Sequence, residues 1–472
     1  MRQLSRRFGR ALAGTTLSVS MLVFTPVQVA AETLADALID AYKNSNLLDQ
    51  NRALLRVADD DVAIALSSML PTLDFIARFD AINPHRTLYK NPVTGRVSRD
   101  NLVGTFQLQA QIQIYAGGRN KLTLESRRET VLATREALRS LEQRVLLDAV
   151  RAYMEVLRAQ AFVNLRENNV RVLGEQRQAT GDRFDVGEVT RTDVALADSR
   201  LAAARSLLEA SRGNLAVARE QFRTAVGRYP NNITSPGTLP QTAPSVQEAI
   251  SVAVRTHPDI RQAQRQVTVG ELGMRIAAGN YRPSVTAGVT AETNSNDQFQ
   301  QQSLNVTVTQ PLYQGGRLAA LERQAIAQRD SSRANLLQTT LGIEELTGSA
   351  WANIEAATAQ IRATELQIRA AEIAFEGTRD EAMLGARTTL DVLDSEQELL
   401  DARASRIDAI ATQYVAVYSL LSAMGLMTVD HLNLGIQTYD PAGYYNNVKT
   451  APARLSPRGA KLDRVLRKLG QQ

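Results

Sequence analysis

Two periodicities alternate along this chain. Leu108, Ala110, Ile112 and Ile114 interleave with Gln107, Gln109, Gln111 and Gln113, a period of two that predicts a β-strand with one apolar and one polar face. The pattern returns where Val285, Ala287 and Val289 interleave with Ser284, Thr286 and Thr290, and where Leu304, Val306 and Val308 interleave with Asn305, Thr307 and Thr309. Leu73 to Phe79 alternates more loosely. The polar positions carry amides and hydroxyls rather than alternating charges, which suits the wall of a water-filled lumen. The strand lengths are close to the roughly 9–11 residues of a tilted membrane strand.

Between these strands the pattern turns helical. Helical stretches are expected from Thr33 to Leu70 and from Ser245 to Asn280, each ended by a proline, Pro71 or Pro283, because proline disfavours helix at the residue before it. After the second strand of each pair come two proline-free runs, Lys121 to Thr180 and Leu318 to Arg379, rich in Ala, Leu, Glu, Gln and Arg. At 1.5 Å per residue each spans about 90 Å, and such length without breakers predicts coiled-coil-like packing. Shorter helices return from Thr192 to Val226 and from Thr389 to Met424.

The chain is a duplication. Tyr115-Ala-Gly-Gly-Arg119 recurs as Tyr313-Gln-Gly-Gly-Arg317, and at the same offset of 198 residues Tyr153 falls on Trp351, Gly187 on Gly385, Asp193 on Asp391 and Gly227 on Gly425. Upstream the offset is 212, with Ala37, Ala41 and Pro71 falling on Ala249, Ala253 and Pro283. The extra length lies between Pro71 and Tyr115, in a loop from about Ala81 to Asn101 that is expected to be extracellular. The organisation read from this is a first repeat over 32–229, a Pro- and Gly-rich linker over 230–244, a second repeat over 245–427 and a C-terminal segment over 428–472. The basic tail of that segment reads as a flexible, solvated end, with anionic lipid as a further contact.

Residues 1–31 read as a secretory signal peptide. Arg2, Arg6, Arg7 and Arg10 precede an uncharged stretch from Ala11 to Phe24, and Val29-Ala30-Ala31 offers a small-residue cleavage site. Ser5-Arg6-Arg7 is a poor twin-arginine match, so ordinary Sec export is expected. No later apolar run approaches membrane-helix length, so membrane entry would require a closed barrel. Four strands cannot close one, and open edges are not tolerated in lipid. Several copies must therefore share a barrel, and a conducting lumen favours three or more, since an eight-stranded barrel is filled by its own side chains.

The sequence contains no Cys, which excludes disulfides, thiolate chemistry and lipidation on cysteine. The net charge of +5 is misleading: the signal carries +4 and the tail from Asn446 carries +6, leaving −5 for residues 32–445. That body is no nucleic-acid-binding surface. His85, His257 and His431 lack partners at ligand spacing, so no metal or cofactor is expected. Phosphate loops and nucleophile elbows are lacking too. Trp351 reads as a packing residue.

The long helices end at Arg183-Phe-Asp-Val-Gly-Glu-Val-Thr-Arg-Thr-Asp-Val194 and at Glu381-Ala-Met-Leu-Gly-Ala-Arg-Thr-Thr-Leu-Asp-Val-Leu-Asp394. Gly187 and Gly385 read as C-caps, the following threonines as N-caps, and Asp193 and Asp391 as first-turn acids. On chemistry alone these are well-capped turns. Together with the two Tyr-x-Gly-Gly-Arg junctions and the duplication, they resemble the periplasmic tips of the TolC family, over essentially Glu32 to Met427. Tyr439-Asp-Pro-Ala-Gly-Tyr-Tyr445 also resembles a segment near the C-terminus of many members.

That resemblance implies a mixed α/β membrane protein. Four strands per chain would contribute to a homotrimeric, twelve-stranded outer-membrane barrel, with helical hairpins forming a periplasmic tunnel closed at its tip. It implies recruitment by a periplasmic adaptor and an inner-membrane transporter of RND, ABC or MFS type. It assigns Arg387 as the gate arginine, Thr192 and Asp193 as the residues that hold it across the closed entrance, and Asp391 and Asp394 as acidic rings at the constriction. Gly117, Gly118, Gly315 and Gly316 become strand-to-helix junctions. Two departures stand out: Ala382 occupies the place of the family's gate tyrosine, and Leu196 stands in the first repeat where Asp394 stands in the second. The functional expectation is a passive exit duct for tripartite efflux or type I secretion, not an enzyme, and the alternative is a soluble periplasmic coiled-coil adaptor or scaffold.

Overall fold

A computed structural model of the protein describes residues 32–81, 102–294, 300–453 and 456–469. The signal stretch, most of the long first loop with His85 and the two loop prolines, and Arg454 lie outside the described residues.

Thr33 opens α1 (Leu34–Asn44) with a capping box to Asp36. Ser45 then stands in extended backbone and caps α2 (Asn46–Ser67) by accepting from the Leu48 N–H. The single helix expected from Thr33 to Leu70 is thus two. β1 (Thr72–Ala81) and β2 (Leu102–Ala116) follow, then α3 (Arg119–Asp185) and the returning α4 (Arg191–Val226). The second half repeats this order as α5 (Val246–Thr256), α6 (Pro258–Gly279), β3 (Ser284–Asn294), β4 (Gln300–Thr309), α7 (Arg317–Met383) and α8 (Thr389–Ala423). Its opening helix is also split, at His257, which is extended because Pro258 follows it and whose ring accepts from the Asp259 N–H. That cap is the structural role of His257. α3 and α7 are 67 residues each, about 100 Å.

The strands form one antiparallel meander, β1-β2-β3-β4. The strand-to-helix junctions place the sheet at one end of α3 and α7, and the helices run away from it. α2 packs on α3, α3 on α6 and α6 on α7, while α4 and α8 pack on the far stretches of α3 and α7, with α8 also against α3. The main core lies midway, where Tyr153 and Phe222, both fully buried, meet Leu146, Val150, Ala37 and Ala41. The linker is pinned there: the Tyr153 hydroxyl lies 2.6 Å from the Thr234 carbonyl, and the Tyr414 hydroxyl lies 2.7 Å from that of Gly237.

The C-terminal segment straps the outside of this core. Arg52 of α2 is held between the rings of Tyr42 and Tyr439, 5.1 and 5.3 Å from their centroids. α9 (Gly443–Val448) docks on α2 through a 2.8 Å bond from the Tyr444 hydroxyl to Asp60. Where a flexible end is expected, residues Pro457–Leu469 form a helix, α10. The residue spacing accounts for this, because apolar and basic residues there recur at helical rather than random intervals.

Candidate channel wall and tip gate

The strand registers assemble two continuous faces. Phe75 pairs with Leu108, Leu108 with Ala291, and Ala291 with Gln302; one row along, Leu73 pairs with Ala110, Ala110 with Val289 and Val289 with Leu304. Paired residues share a face, so Leu73, Phe75, Leu108, Ala110, Ala287, Val289, Leu304 and Val306 build one apolar surface. It is bare in the single chain: Phe75 is 68 % exposed and Leu304 77 %. The opposite face reads Asp74, Gln109, Thr290 and Ser303 in one row and Thr72, Gln111, Gly288 and Asn305 in the next. A sheet that is oily on one side, amide-lined on the other and roughly ten residues tall has the chemistry of a barrel wall between lipid and water. Among the described residues no helix is long and apolar enough to cross a membrane.

At both junctions two glycines turn the chain from strand into long helix. Gly117 and Gly118 lie at φ +65° and +82°, Gly315 and Gly316 at +56° and +79°, a left-handed backbone that favours glycine. At Gly117 space adds to the constraint, since a Cβ would sit 2.7 Å from the Gly279 carbonyl oxygen. Arg119 fastens this corner by donating to the Ala116 carbonyl at 2.9 Å and to Asn280 at 2.7 Å.

At the far end the two turns are built alike. Gly187 and Gly385 lie at φ +80° and +78°, with Glu188 N–H returning to the Arg183 carbonyl and Ala386 N–H to that of Glu381, both at 2.9 Å. These are Schellman-type ends. The N-caps are Thr190 and Thr388, one position or more before Thr192 and Thr389. Each forms a capping box in which the third-position acid, Asp193 or Asp391, accepts from the threonine N–H at 2.9 Å. The hydroxyl and N–H of Thr190 hold the Asp193 carboxyl below the usual carboxylate range, and those of Thr388 do the same to Asp391.

Within one chain the residues assigned to the gate are not brought together. Arg387 folds back onto its own turn, its Nε donating to Glu381 at 2.8 Å. Thr192 and Asp193 stand exposed and half-buried on the neighbouring turn. Asp394 differs more from expectation, because Arg200 of α4 donates to it at 2.9 Å and neutralises it within the chain.

Two further ties between the hairpins were not visible in the residue spacing. Arg183 reaches the carbonyl of Ala382 at 3.4 Å, at the position where the gate tyrosine is missing. Higher up, the Asn169 amide donates to the buried Glu396 at 2.9 Å, and burial pushes the Glu396 carboxyl up to about 7. Their only local signal is residue type, since each joins positions about two hundred residues apart.

These features have known counterparts. A family model described as outer membrane efflux protein matches residues 37–228 and 249–426, once on each repeat. The chain is 32 % identical over 448 residues to the outer membrane efflux protein BepC of Brucella suis biovar 1, covering 93 % of this chain and 95 % of that one. It is 24 % identical over 426 residues to the outer membrane protein TolC of Vibrio cholerae, covering 87 % and 95 %. The solved CmeC outer membrane channel of Campylobacter jejuni superposes with a TM-score of 0.74 at 16 % identity, over 89 % of this chain and 90 % of that one. With a lipid-compatible sheet at one end, capped helical hairpins at the other and the family match on both repeats, the chain belongs to the outer membrane efflux protein family and is an outer-membrane channel protein.

Proposed function

We propose that three copies of this chain close one twelve-stranded barrel and one helical tunnel, forming the passive exit duct of a tripartite efflux or type I secretion system. The observation that carries this reading is the bare apolar face of a four-stranded sheet whose outer edges, β1 and β4, have no partner among the described residues. Lipid covers such a face, and only further copies cover such edges. The helical wall is incomplete in the same sense. α7 exposes Leu337, Leu341, Leu366 and Ile373, and α2 exposes Leu47, Leu54 and Ile64. α2 and the first part of α7, with Leu337 and Leu341, flank the wall beside the sheet, so there the α7 of one copy meets the α2 of the next; Leu366 and Ile373 lie farther down α7.

The tips are the gate. Arg387 exchanges its exposed partner Glu381 for Thr192 and Asp193 of a neighbouring copy in the closed duct, and this exchange is inexpensive because an exposed ion pair is weakly held. Asp391 lines the entrance as a ring of three carboxylates. Energy comes from an inner-membrane transporter, joined through a periplasmic adaptor, since the tunnel carries no chemistry of its own. The efflux relative BepC supports efflux as the transported flux. A soluble adaptor has no use for the exposed sheet face.

Cell fractionation tests this directly. The protein is expected in the outer-membrane fraction and released only by detergent; release by osmotic shock alone would support the soluble adaptor instead.

A further inference from the structure

The two repeats pair their strands identically. In the first hairpin Phe75 stands opposite Leu108 and Thr72 opposite Gln111. Moving β1 by 212 residues and β2 by 198 gives Ala287 opposite Val306 and Ser284 opposite Thr309, and these are the pairs of the second hairpin. The helices obey the same rule: Ala253, Ile260 and Ile343 share one core, as do their counterparts Ala41, Leu48 and Val145. Where the repeats meet, β2 pairs with β3, Leu108 opposite Ala291 and Ala110 opposite Val289. The counterpart of β2 is β4 and that of β3 is β1, and these stand at opposite edges of the sheet. One chain cannot join them, but a second copy can. The same offsets then set Val306 opposite Phe79 and Val308 opposite Ala77 of the next copy. All four residues lie on the apolar face, so the lipid and lumen faces run unbroken through the seam.

Side chains mark the helical part of the same seam. Between the repeats Arg265 of α6 donates to Glu129 of α3 at 3.2 Å, and Arg158 of α3 donates to Asp408 of α8 at 2.9 Å. The counterparts of the first pair are Ala53 and Ala327, and those of the second are Ala356 and Ala210. Each charged clasp is replaced on both sides at once, which is what facing positions require, since losing one partner alone leaves a charge unmatched. The Asn169–Glu396 tie becomes Gln367 and Asp198, again an amide and an acid. In the single chain Ala53 is half-buried and the other five counterparts are exposed, and Asp198 also accepts from Arg177 of its own chain at 2.7 Å. We infer that the seam between copies repeats the seam between repeats position for position. β4 pairs with β1 of the next copy in the register that sets Val306 opposite Phe79, and Ala327 and Ala356 of α7 face Ala53 and Ala210 of that copy.

This seam rests on the shared barrel proposed above, and the test separates the two. The chain has no cysteine, so the full-length protein with Phe79→Cys and Val306→Cys carries one thiol at each edge of the sheet. Three strand spacings lie between those edges, too far for a disulfide within one chain. Oxidation of the detergent-extracted particle is expected to give covalently joined dimers and trimers in denaturing electrophoresis. Their yield should exceed several-fold that of Val306→Cys combined with Ala77→Cys or Ala81→Cys, which stand two residues out of register. Preferential joining of a shifted pair would overturn the register and leave the shared barrel standing. Joining by none of the pairs in a particle with the native mass of three chains would overturn this seam alone, and the same result in a monomer would overturn the shared barrel as well. For the helices, Ala53→Arg and Ala327→Glu are made singly and together. Each alone is expected to lower the temperature at which the native particle dissociates, and the double variant to return it to the parent value or above. Losses that simply add would show that these two positions do not face each other.

Discussion

Arg200 on α4 and Asp394 on α8 form an ion pair of 2.9 Å that ties the first helical hairpin to the second, one helical turn above Asp391. Each partner screens the other, so in the proposed gate Asp394 contributes less to the charge at the entrance than Asp391, which has no cationic partner of this kind among the described residues. The account predicts that Arg200→Ala raises cation selectivity and strengthens block by multivalent cations, because it unmasks Asp394. Asp391→Asn should lower both, and it keeps an acceptor for the Thr388 N–H, so the helix cap survives. Reversal potentials across a planar bilayer in a salt gradient check the sign. Equal selectivity in Arg200→Ala and the parent would show that Asp394 faces away from the lumen.

The gate proposal predicts that Arg387→Ser increases the conductance of the isolated channel without disturbing assembly. Each exposed pair is weak, but three act on one closure equilibrium, enough to shift an open population several-fold. The matching change on the other side is Asp193→Asn rather than Asp193→Ala, since alanine also removes the capping box with Thr190. Single-channel recording measures the effect. Unchanged conductance of an intact Arg387→Ser assembly would reduce these turns to well-capped hairpins.

Glu396 predicts a pH dependence. Its carboxyl is raised from 4.5 to about 7 by burial between α3 and α8, with Asn169 as hydrogen-bond donor. Raised in the packed state, it favours packing fully below its ordinary value, and this contribution is lost as pH rises through about 7. Separating the hairpins hydrates the carboxyl, so rising pH favours separation, by an upper bound of about 3 kcal/mol per chain. Hydrogen exchange across α8 should therefore quicken with pH beyond its intrinsic rate, and Glu396→Gln, which keeps the neutral form, should remove that excess. An excess that persists in Glu396→Gln would assign it elsewhere.

The strands, the duplication and the glycine corners were legible because each is encoded locally, in period-two alternation, repeated motifs or a residue type that a backbone angle demands. The split of each opening helix was half-legible. Pro258 marks one break, but Ser45 does so only through its capping, which spacing alone does not distinguish from an exposed helical serine. The ties between hairpins were not legible. Glu396 lies in the run Asp394-Ser-Glu-Gln-Glu398 and reads as a solvated acid; its burial is created by α3 laid against α8. Arg200 likewise looks like one more surface arginine until the fold brings Asp394 to it. α10 was not legible for a different reason: its helical spacing is local, but the run of basic residues reads as a solvated end.

The central claim is that one chain is a third of a channel, and the mass of the native particle tests it most directly. Protein extracted by detergent from outer membranes and released intact in a native mass spectrometer is predicted to carry three chains. Its dissociation on denaturation should coincide with loss of the β signature, since β1 and β4 need neighbouring copies to close the barrel. A stable monomer that retains folded β-structure would contradict the account.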